Sequence, residues 1–267
     1  MPQVNPDSIK YWQWPNVLGI DAALIAVVWQ IALAHALTMP VGLTAHLVLG
    51  LSVWLTYLAD RLFDVSTRKE AALLSVRHRF SKRHAAFLWR VWFVVLAVNL
   101  LLATQLTLLQ LKHGALLLAV CALYTLLNQK LSRKFFPKEI CVALIYAGGV
   151  MVFLPEALHL GFFESFAFLC LLNCLVIGAK EKAVDSEMRV HSISRMMAER
   201  WLIPLACVGA ALTLGSGVEL SYGLTLSFGL LGLLHYLRTR IRVETFRVLV
   251  DTALLLGGVI CLLANGM

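Results

Sequence analysis

The chain has 267 residues, of which 60% are hydrophobic and 14% are charged, and its mean hydropathy is +0.81. A soluble domain has about 25% charged residues, so this composition excludes a soluble globular protein and indicates an integral membrane protein. The formal net charge of +8 would suit a nucleic-acid partner, but the positions of the basic residues argue against one.

Apolar runs of about 20 residues are needed to cross roughly 30 Å of hydrocarbon, and the sequence contains nine candidates. In chain order they cover 17–37, 41–59, 86–108, 113–129, 140–155, 162–179, 201–214, 219–237 and 248–265. The fifth and seventh runs are short. Because nine spans leave little sequence for a soluble domain, we expect an all-α polytopic membrane protein in which residues 1–267 form a single transmembrane domain.

The basic residues are concentrated in loops on one side of the predicted bundle. Of the 23 Lys and Arg residues, only Lys112 lies in a loop on the other side. The positive-inside rule therefore predicts a cytoplasmic N-terminus, cytoplasmic basic loops and a C-terminus outside, in the plasma (inner) membrane if the source is bacterial. Attraction to anionic membrane lipids accounts for much of this charge. It does not account for the acidic residues.

Five of the 15 acidic residues lie at the cytoplasmic ends of the second and sixth runs. Asp60 and Asp64 end the second run, and Glu181, Asp185 and Glu187 follow the sixth. Residues four apart share a helix face, so each site presents a carboxylate pair. The two pairs are separated by the same 121 residues, from 60 to 181 and from 64 to 185, which suggests two related halves.

Like charges on adjacent helical turns repel each other unless a cation lies between them. Four carboxylates around one cavity suit Mg²⁺, which prefers oxygen ligands and completes its coordination with substrate phosphates. The alternative is that these acids are interfacial charges paired with Arg61, Lys180 and Lys182. Two pairs at matching helix ends favour the metal site.

In these motifs the sequence resembles the UbiA superfamily of intramembrane prenyltransferases. The family motif NxxxDxxxD is similar to "TYLADRLFD", with Asp60 and Asp64 at its aspartates, and DxxxD is similar to the Glu181/Asp185 pair in "KEKAVDSE". The segment "LYTLLNQKLSRKFFPKEICVALIYAGG" looks like the family's Tyr, Lys/Arg and Gly pattern. Thr56 stands where the family has Asn, Glu181 replaces an Asp, and "MRVHSISR" replaces the family's tail after the second motif.

The resemblance implies a nine-helix bundle that binds a prenyl diphosphate through Mg²⁺, ionises it, and transfers the prenyl group to a lipophilic acceptor. It implies that Asp60, Asp64, Glu181 and Asp185 bind the metal and carry the catalysis. Basic side chains suit the diphosphate, and aromatic faces stabilise a carbocation. The candidate substrate contacts are Arg61, Lys69, Arg77, Lys134, Lys138, Lys180, Thr56, Tyr57, Tyr124 and Tyr146.

Three other functions compete with prenyl transfer. A terpene cyclase of the same superfamily would use a prenyl diphosphate without an acceptor. A cation-coupled transporter would use the carboxylates as ion ligands, and a catalytically inactive family member would serve as a membrane partner. Transporters usually bind ions near the bilayer midplane on broken helices, whereas these acids lie at helix ends beside basic loops, which favours the diphosphate site.

Two further acids fall near the cytoplasmic ends of the first and last runs. Acids inside a membrane are costly and often functional. Asp251 can pair with Arg247 four residues earlier, whereas Asp21 has no partner nearby in the sequence. Asp21 is therefore the better candidate for orienting an acceptor.

Overall fold

Each of the nine apolar runs corresponds to one α-helix in the computed structural model. The structure describes residues 9–66, 75–131, 137–154, 160–187, 193, 197–215 and 217–264, without the side chains of 129–131 and 182–187. Within these ranges the regular structure is helical. The helices are α1 Trp14–Leu18, α2 Ile20–Ala36, α3 Leu43–Ser66, α4 Val76–Arg83, α5 Ala85–Ala103, α6 Leu108–Leu131, α7 Lys138–Met151, α8 Leu160–Glu187, α9 Leu202–Gly215, α10 Ser221–Tyr236 and α11 Val243–Ala264.

Five of these helices, α3, α5, α6, α8 and α11, are long and apolar enough to cross a membrane. A sixth span results if α2 is taken with the preceding helical residues, from which it is bent by 79°. Helices α7, α9 and α10 have 14, 14 and 16 residues, or roughly 21–24 Å at 1.5 Å per residue. The positions of nine helices are thus as predicted, but nine full crossings are not confirmed.

The bend between α1 and α2 lies at Gly19. Its φ is +72°, a left-handed conformation that glycine adopts without steric cost. A Cβ atom at this position would also lie 2.8 Å from the Tyr57 ring of α3. Gly19 therefore allows the short helix α1 to turn across the end of the bundle, close to α3.

The helices form a bundle in which the last helix returns to the first long one. Helix α2 packs against α3, α7 and α11, and α8 packs against α7, α9, α10 and α11. Trp29 of α2 is fully buried, packs on Phe166 with ring centroids 4.9 Å apart, and donates a hydrogen bond to the Leu254 carbonyl at 2.9 Å. This contact fixes α2, α8 and α11 around a common core.

Helices α10 and α11 are in close contact at two glycines. A Cβ atom on Gly223 would collide with the Gly257 carbonyl oxygen. Nearby, the Ser227 hydroxyl donates to the Ala253 carbonyl at 3.1 Å. Small residues and hydrogen bonds of this kind drive helix association where no water is available to be expelled.

Candidate functional site

The first acidic pair lies in the last two turns of α3. Asp60 is half-buried and Asp64 is exposed. Besides Asp64, the charges that act on Asp60 are those of Lys138 at the start of α7, Arg77 of α4 and the neighbouring Arg61. The fold therefore brings three predicted diphosphate contacts to the first acidic pair.

Two predicted tyrosines and Thr56 accompany this pair. Tyr124 of α6 interacts electrostatically with both Asp60 and Asp64. Tyr57 of α3 accepts a hydrogen bond from Arg77 Nη1 at 3.4 Å. Thr56, one turn before Asp60, is exposed, and its hydroxyl donates to the Ser52 carbonyl of the same helix at 2.9 Å. Helices α3, α4, α6 and α7 thus converge on the first acidic motif.

Arg61 is not a loop cation, because it is only 4% exposed. Its guanidinium donates Nη1 to the Val17 carbonyl and Nη2 to the Asn16 carbonyl at 3.2 Å, and it lies 5.0 Å from the centroid of the Tyr57 ring. A cation at a helix C-terminus is favourable because it satisfies the final carbonyl groups and the helix dipole. Arg61 was predicted to contact diphosphate, but both of its Nη atoms donate hydrogen bonds to carbonyl groups at the end of α1.

Glu181, the first carboxylate of the second motif, forms a buried ion pair with Arg247 of α11. The Glu181 carboxylate accepts from Arg247 Nε, and the two side chains are 7% and 2% exposed. The sequence suggested that Arg247 pairs with Asp251, four residues later. That expectation was wrong, because the hydrogen-bonded partner of Arg247 is Glu181. Helix packing brings the more distant Glu181 to Arg247, although Asp251 still interacts electrostatically with the same guanidinium.

Of the remaining predicted cations, the structure describes the side chain of Lys180. Lys180 donates to the Arg238 carbonyl and lies 5.9 Å from the centroid of the Phe246 ring, so it ties α8 to the turn before α11. Lys69, Lys134 and the side chain of Asp185 lie outside the described residues.

A second carboxyl group cluster, which the sequence did not reveal, lies where α1, α2 and α11 meet. The Asn16 side-chain amide donates to Asp21 at 2.7 Å and to Asp251 at 2.9 Å. The sequence-based view that Asp21 lacks a nearby partner was therefore wrong. Tyr146, a predicted lining residue, donates its hydroxyl to the Ala22 carbonyl and interacts electrostatically with both acids.

Arg77 connects the two acidic regions. Its charge acts on Asp60, on Arg247 and on Asp251. Its Nε atom is buried and has no hydrogen-bond partner among the described residues. We refer to Arg61, Arg77 and Arg247 with Asp21, Asp60, Glu181 and Asp251 as the polar cluster. It joins residues of α2, α3, α4, α8 and α11.

Among the described side chains, the two carboxylates of the first motif fit Mg²⁺ better than Glu181 of the second motif does. Asp60 and Asp64 supply two carboxylates on one helix face. Mg²⁺ is commonly bound by one or two carboxylates and takes its other ligands from substrate phosphates and water. Glu181 is already bound to Arg247. Among the described side chains, no group of three His, Cys, Asp or Glu residues is arranged to hold a metal ion. A metal at the first motif would therefore depend on oxygen ligands from the substrate or from water.

An apolar cavity of about 290 Å³ lies between α9 and α10, and no residue of the polar cluster lines it. Its walls include Ile203, Ala206, Ala210, Phe228, Leu233 and Tyr236. None of the predicted site residues lines it. It offers no polar group of the kind that would recognise a diphosphate.

The arrangement of long apolar helices around one core defines a polytopic α-helical membrane protein. The apo structure of a UbiA homolog from Aeropyrum pernix K1 is similar to this chain, with a TM-score of 0.62 and 13% sequence identity, over 91% of this chain and 98% of that chain. No protein-family model and no curated protein matches the sequence. The chain thus has a UbiA-like fold, which confirms at the level of the fold the resemblance seen in the acidic motifs.

Proposed function

We propose that the protein is a Mg²⁺-dependent intramembrane prenyltransferase that ionises a prenyl diphosphate and transfers the prenyl group to a lipophilic acceptor. The observation that carries this proposal is that Asp60 interacts electrostatically with Asp64, Arg77 and Lys138 at one end of a UbiA-like bundle. Carboxylates for a metal and fixed cations for an anion, side by side, are what a metal–diphosphate substrate needs.

Mg²⁺ held by Asp60 and Asp64 would neutralise the charge that develops on the diphosphate when the allylic C–O bond breaks. Both electrons of that bond leave with the diphosphate. Arg77 and Lys138 favour this step because positive charges fixed beforehand stabilise the leaving group more in the transition state than in the ground state. Lys69, Lys134, Lys180 and Asp185 are assigned to the same site by resemblance alone.

The hydrocarbon part of the substrate would lie among the helices, where water is excluded from the carbocation. Tyr124 interacts electrostatically with both Asp60 and Asp64. Tyr57 accepts a hydrogen bond from Arg77, whose charge acts on Asp60. An aromatic face attracts a cation through its quadrupole. We therefore assign these tyrosines, with Tyr146, to the substrate cavity.

The acceptor is proposed to approach from the side of Asp21 and Asp251. These carboxyl groups share the Asn16 amide and lie beside Tyr146, so they offer oxygen acceptors inside an apolar bundle. The electron pair of the acceptor forms the new bond to the prenyl carbon. The acceptor then loses a proton, which a carboxylate at this position can take.

The proposal is tested by diphosphate release from protein reconstituted in lipid nanodiscs with Mg²⁺ and prenyl diphosphates of ten, fifteen or twenty carbons. We expect Asp60→Asn to lower turnover by about 100-fold or more, because it removes charge from the proposed metal site. The matched control is Glu164→Gln, which neutralises an exposed acid in the first turns of α8 and should leave turnover within about twofold.

The products decide between the related functions. Release that requires an added membrane lipid extract identifies a transferase. Release without acceptor, together with a cyclic terpene, identifies a cyclase. Turnover that is equal in Asp60→Asn and wild type, or absent throughout from folded protein, contradicts the proposed function and favours the transporter or the inactive partner.

A further inference from the structure

Arg247 has a hydrogen-bonding capacity that its surroundings do not use. The residue is 1% exposed, its Nε donates to Glu181, and its Nη1 atom is buried without a hydrogen-bond partner among the described residues. A guanidinium carries five N–H donors and no acceptor. A buried donor without a partner is unfavourable because it has lost the hydrogen bonds that water would provide. The unpaired nitrogen therefore points to a ligand with an oxygen acceptor.

Arg77 has an unused donor in the same part of the molecule. Its Nε is also buried without a partner among the described residues, and its charge acts directly on Arg247. Arg61 adds a third positive charge that acts on Arg247. Guanidinium groups repel one another strongly where water is scarce. An anion near both guanidinium groups would relieve this repulsion and supply oxygen acceptors.

The nearby acids whose side chains the structure describes do not complete these guanidinium groups. Asp21 and Asp251 accept from the Asn16 amide, and Glu181 accepts from Arg247 Nε alone among the hydrogen bonds described for it. A divalent cation on the same Glu181 carboxylate would lie against the guanidinium, which is always protonated. Two positive groups on one buried carboxylate are unfavourable. Glu181 is thus better suited to hold Arg247 than to hold a metal ion.

We propose that Arg247, fixed by Glu181 and assisted by Arg77, binds diphosphate oxygens directly and takes the place of a metal ion at the second acidic motif. The proposal rests on the proposed function and specifies how its substrate is held. A guanidinium can form two parallel hydrogen bonds to phosphate oxygens, and its position is set before the substrate arrives. Diphosphate binding should therefore persist without divalent metal, and the loaded site should contain one metal ion, at the first motif.

The first experiment measures binding of inorganic diphosphate by calorimetry, in phosphatidylcholine nanodiscs with EDTA. Wild type should bind, and Arg247→Gln should bind at least about tenfold more weakly, as expected for loss of charge-assisted hydrogen bonds. The control is Arg242→Gln, which removes an exposed arginine just before α11 and should change affinity less than about twofold. Equal affinity in wild type and folded Arg247→Gln, or no metal-free binding to wild type, overturns the proposal.

If Arg247→Gln does not fold, the variant Glu181→Gln still tests whether Glu181 binds a metal ion. Glu181→Gln retains the Arg247 guanidinium and an amide oxygen that can accept from its Nε, so metal-free diphosphate binding should be weaker than in wild type but still measurable. Bound Mn²⁺ is counted by electron paramagnetic resonance in the presence of diphosphate, with one ion expected in both wild type and Glu181→Gln. Two ions in wild type and one in Glu181→Gln would show that Glu181 is a metal ligand and would overturn the proposal.

The phosphate of an anionic lipid has the same chemistry as the diphosphate. The titration is therefore repeated in phosphatidylglycerol nanodiscs, where Arg247-dependent binding should persist. Its loss there would assign the guanidinium to a lipid headgroup and overturn the diphosphate assignment. Arg247-dependent binding without turnover of any prenyl diphosphate would contradict the proposed function alone, whereas normal turnover in Arg247→Gln would contradict only the role of Arg247.

Discussion

Arginine residues at the helix ends near the polar cluster serve different purposes that their positions in the sequence do not distinguish. Arg61 is buried and donates to the carbonyl groups at the end of α1. Arg247 is buried against Glu181 and has a nitrogen without a hydrogen-bond partner in the part of the chain that the structure describes, whereas Arg242 is exposed. The structure therefore distinguishes Arg61, which stabilises the fold, from Arg247, which has a hydrogen-bond donor available for a ligand.

We predict that Arg61→Ala acts mainly on stability. It leaves the buried Val17 carbonyl without its side-chain donor, at a cost of about 1–3 kcal/mol for a buried group left unpaired. The Asn16 carbonyl loses Arg61 Nη2 but keeps the Gly19 N–H. The midpoint of thermal unfolding in nanodiscs should fall, while Arg90→Ala, at an exposed site on α5, should leave it unchanged. An unchanged midpoint with a raised KM for prenyl diphosphate would instead return Arg61 to the substrate contacts.

At the scale of helices, the contacts that organise the bundle depend on small residues and on backbone carbonyl groups. Gly223 and Gly257 allow α10 and α11 to approach each other, and Trp29 joins α2 to α11 by a hydrogen bond to a carbonyl. Helix α11 carries both Arg247 and Asp251. The fit of α11 against α10 and α2 therefore also sets the position of two residues in the polar cluster.

Two glycines of the same helix provide a test of this packing. Gly223→Ala should destabilise the protein by about 1–3 kcal/mol, the usual cost of overpacking, because its methyl group would collide with the backbone of α11. Gly229→Ala is the matched control, since nothing lies within 4 Å of a Cβ atom there. Thermal unfolding of both variants, compared with wild type, measures the difference. Equal unfolding temperatures would show that α10 and α11 are not closely packed at Gly223.

At the scale of the molecule, the charge distribution and the UbiA-like fold together suggest how the protein lies in the membrane. The polar cluster lies at the end of the bundle where the loops are rich in Lys and Arg. The positive-inside rule assigns this end to the cytoplasm. A water-soluble product such as diphosphate would then be released into the cytoplasm.

This orientation predicts which positions a membrane-impermeant maleimide reaches from outside intact cells. In a background without the six native cysteines, Lys112→Cys should be labelled and Arg240→Cys should not. Lys112 lies in the first two turns of α6, not in a loop as the sequence suggested, and Arg240 lies in the turn before α11, at ends of the bundle assigned to opposite sides. Both positions are exposed in the structure, so burial does not explain a difference between them. Labelling of Arg240→Cys alone would reverse the proposed topology, and disruption of the cells should make both residues reactive.

Much of the architecture could be predicted because it depends on local sequence. Nine uninterrupted apolar runs predict nine helices, since a backbone in hydrocarbon must satisfy its hydrogen bonds within each segment. The crossing count was less predictable. The run 17–37 contains Gly19, where the chain bends, and α7 and α9 are only 14 residues long. Hydropathy alone does not report such bends or the ends of helices.

The sequence by itself determined that this is an integral membrane protein built from helices, with Asp60 and Asp64 paired on one helix face. These properties follow from composition and from spacing within one helix. Only the tertiary structure decided that Glu181 meets Arg247, 66 residues away, and that Asn16 joins Asp21 to Asp251, 235 residues from Asn16. Where water is scarce, a charged or polar side chain takes the partner that helix packing brings to it. Spacing along the chain does not specify that partner.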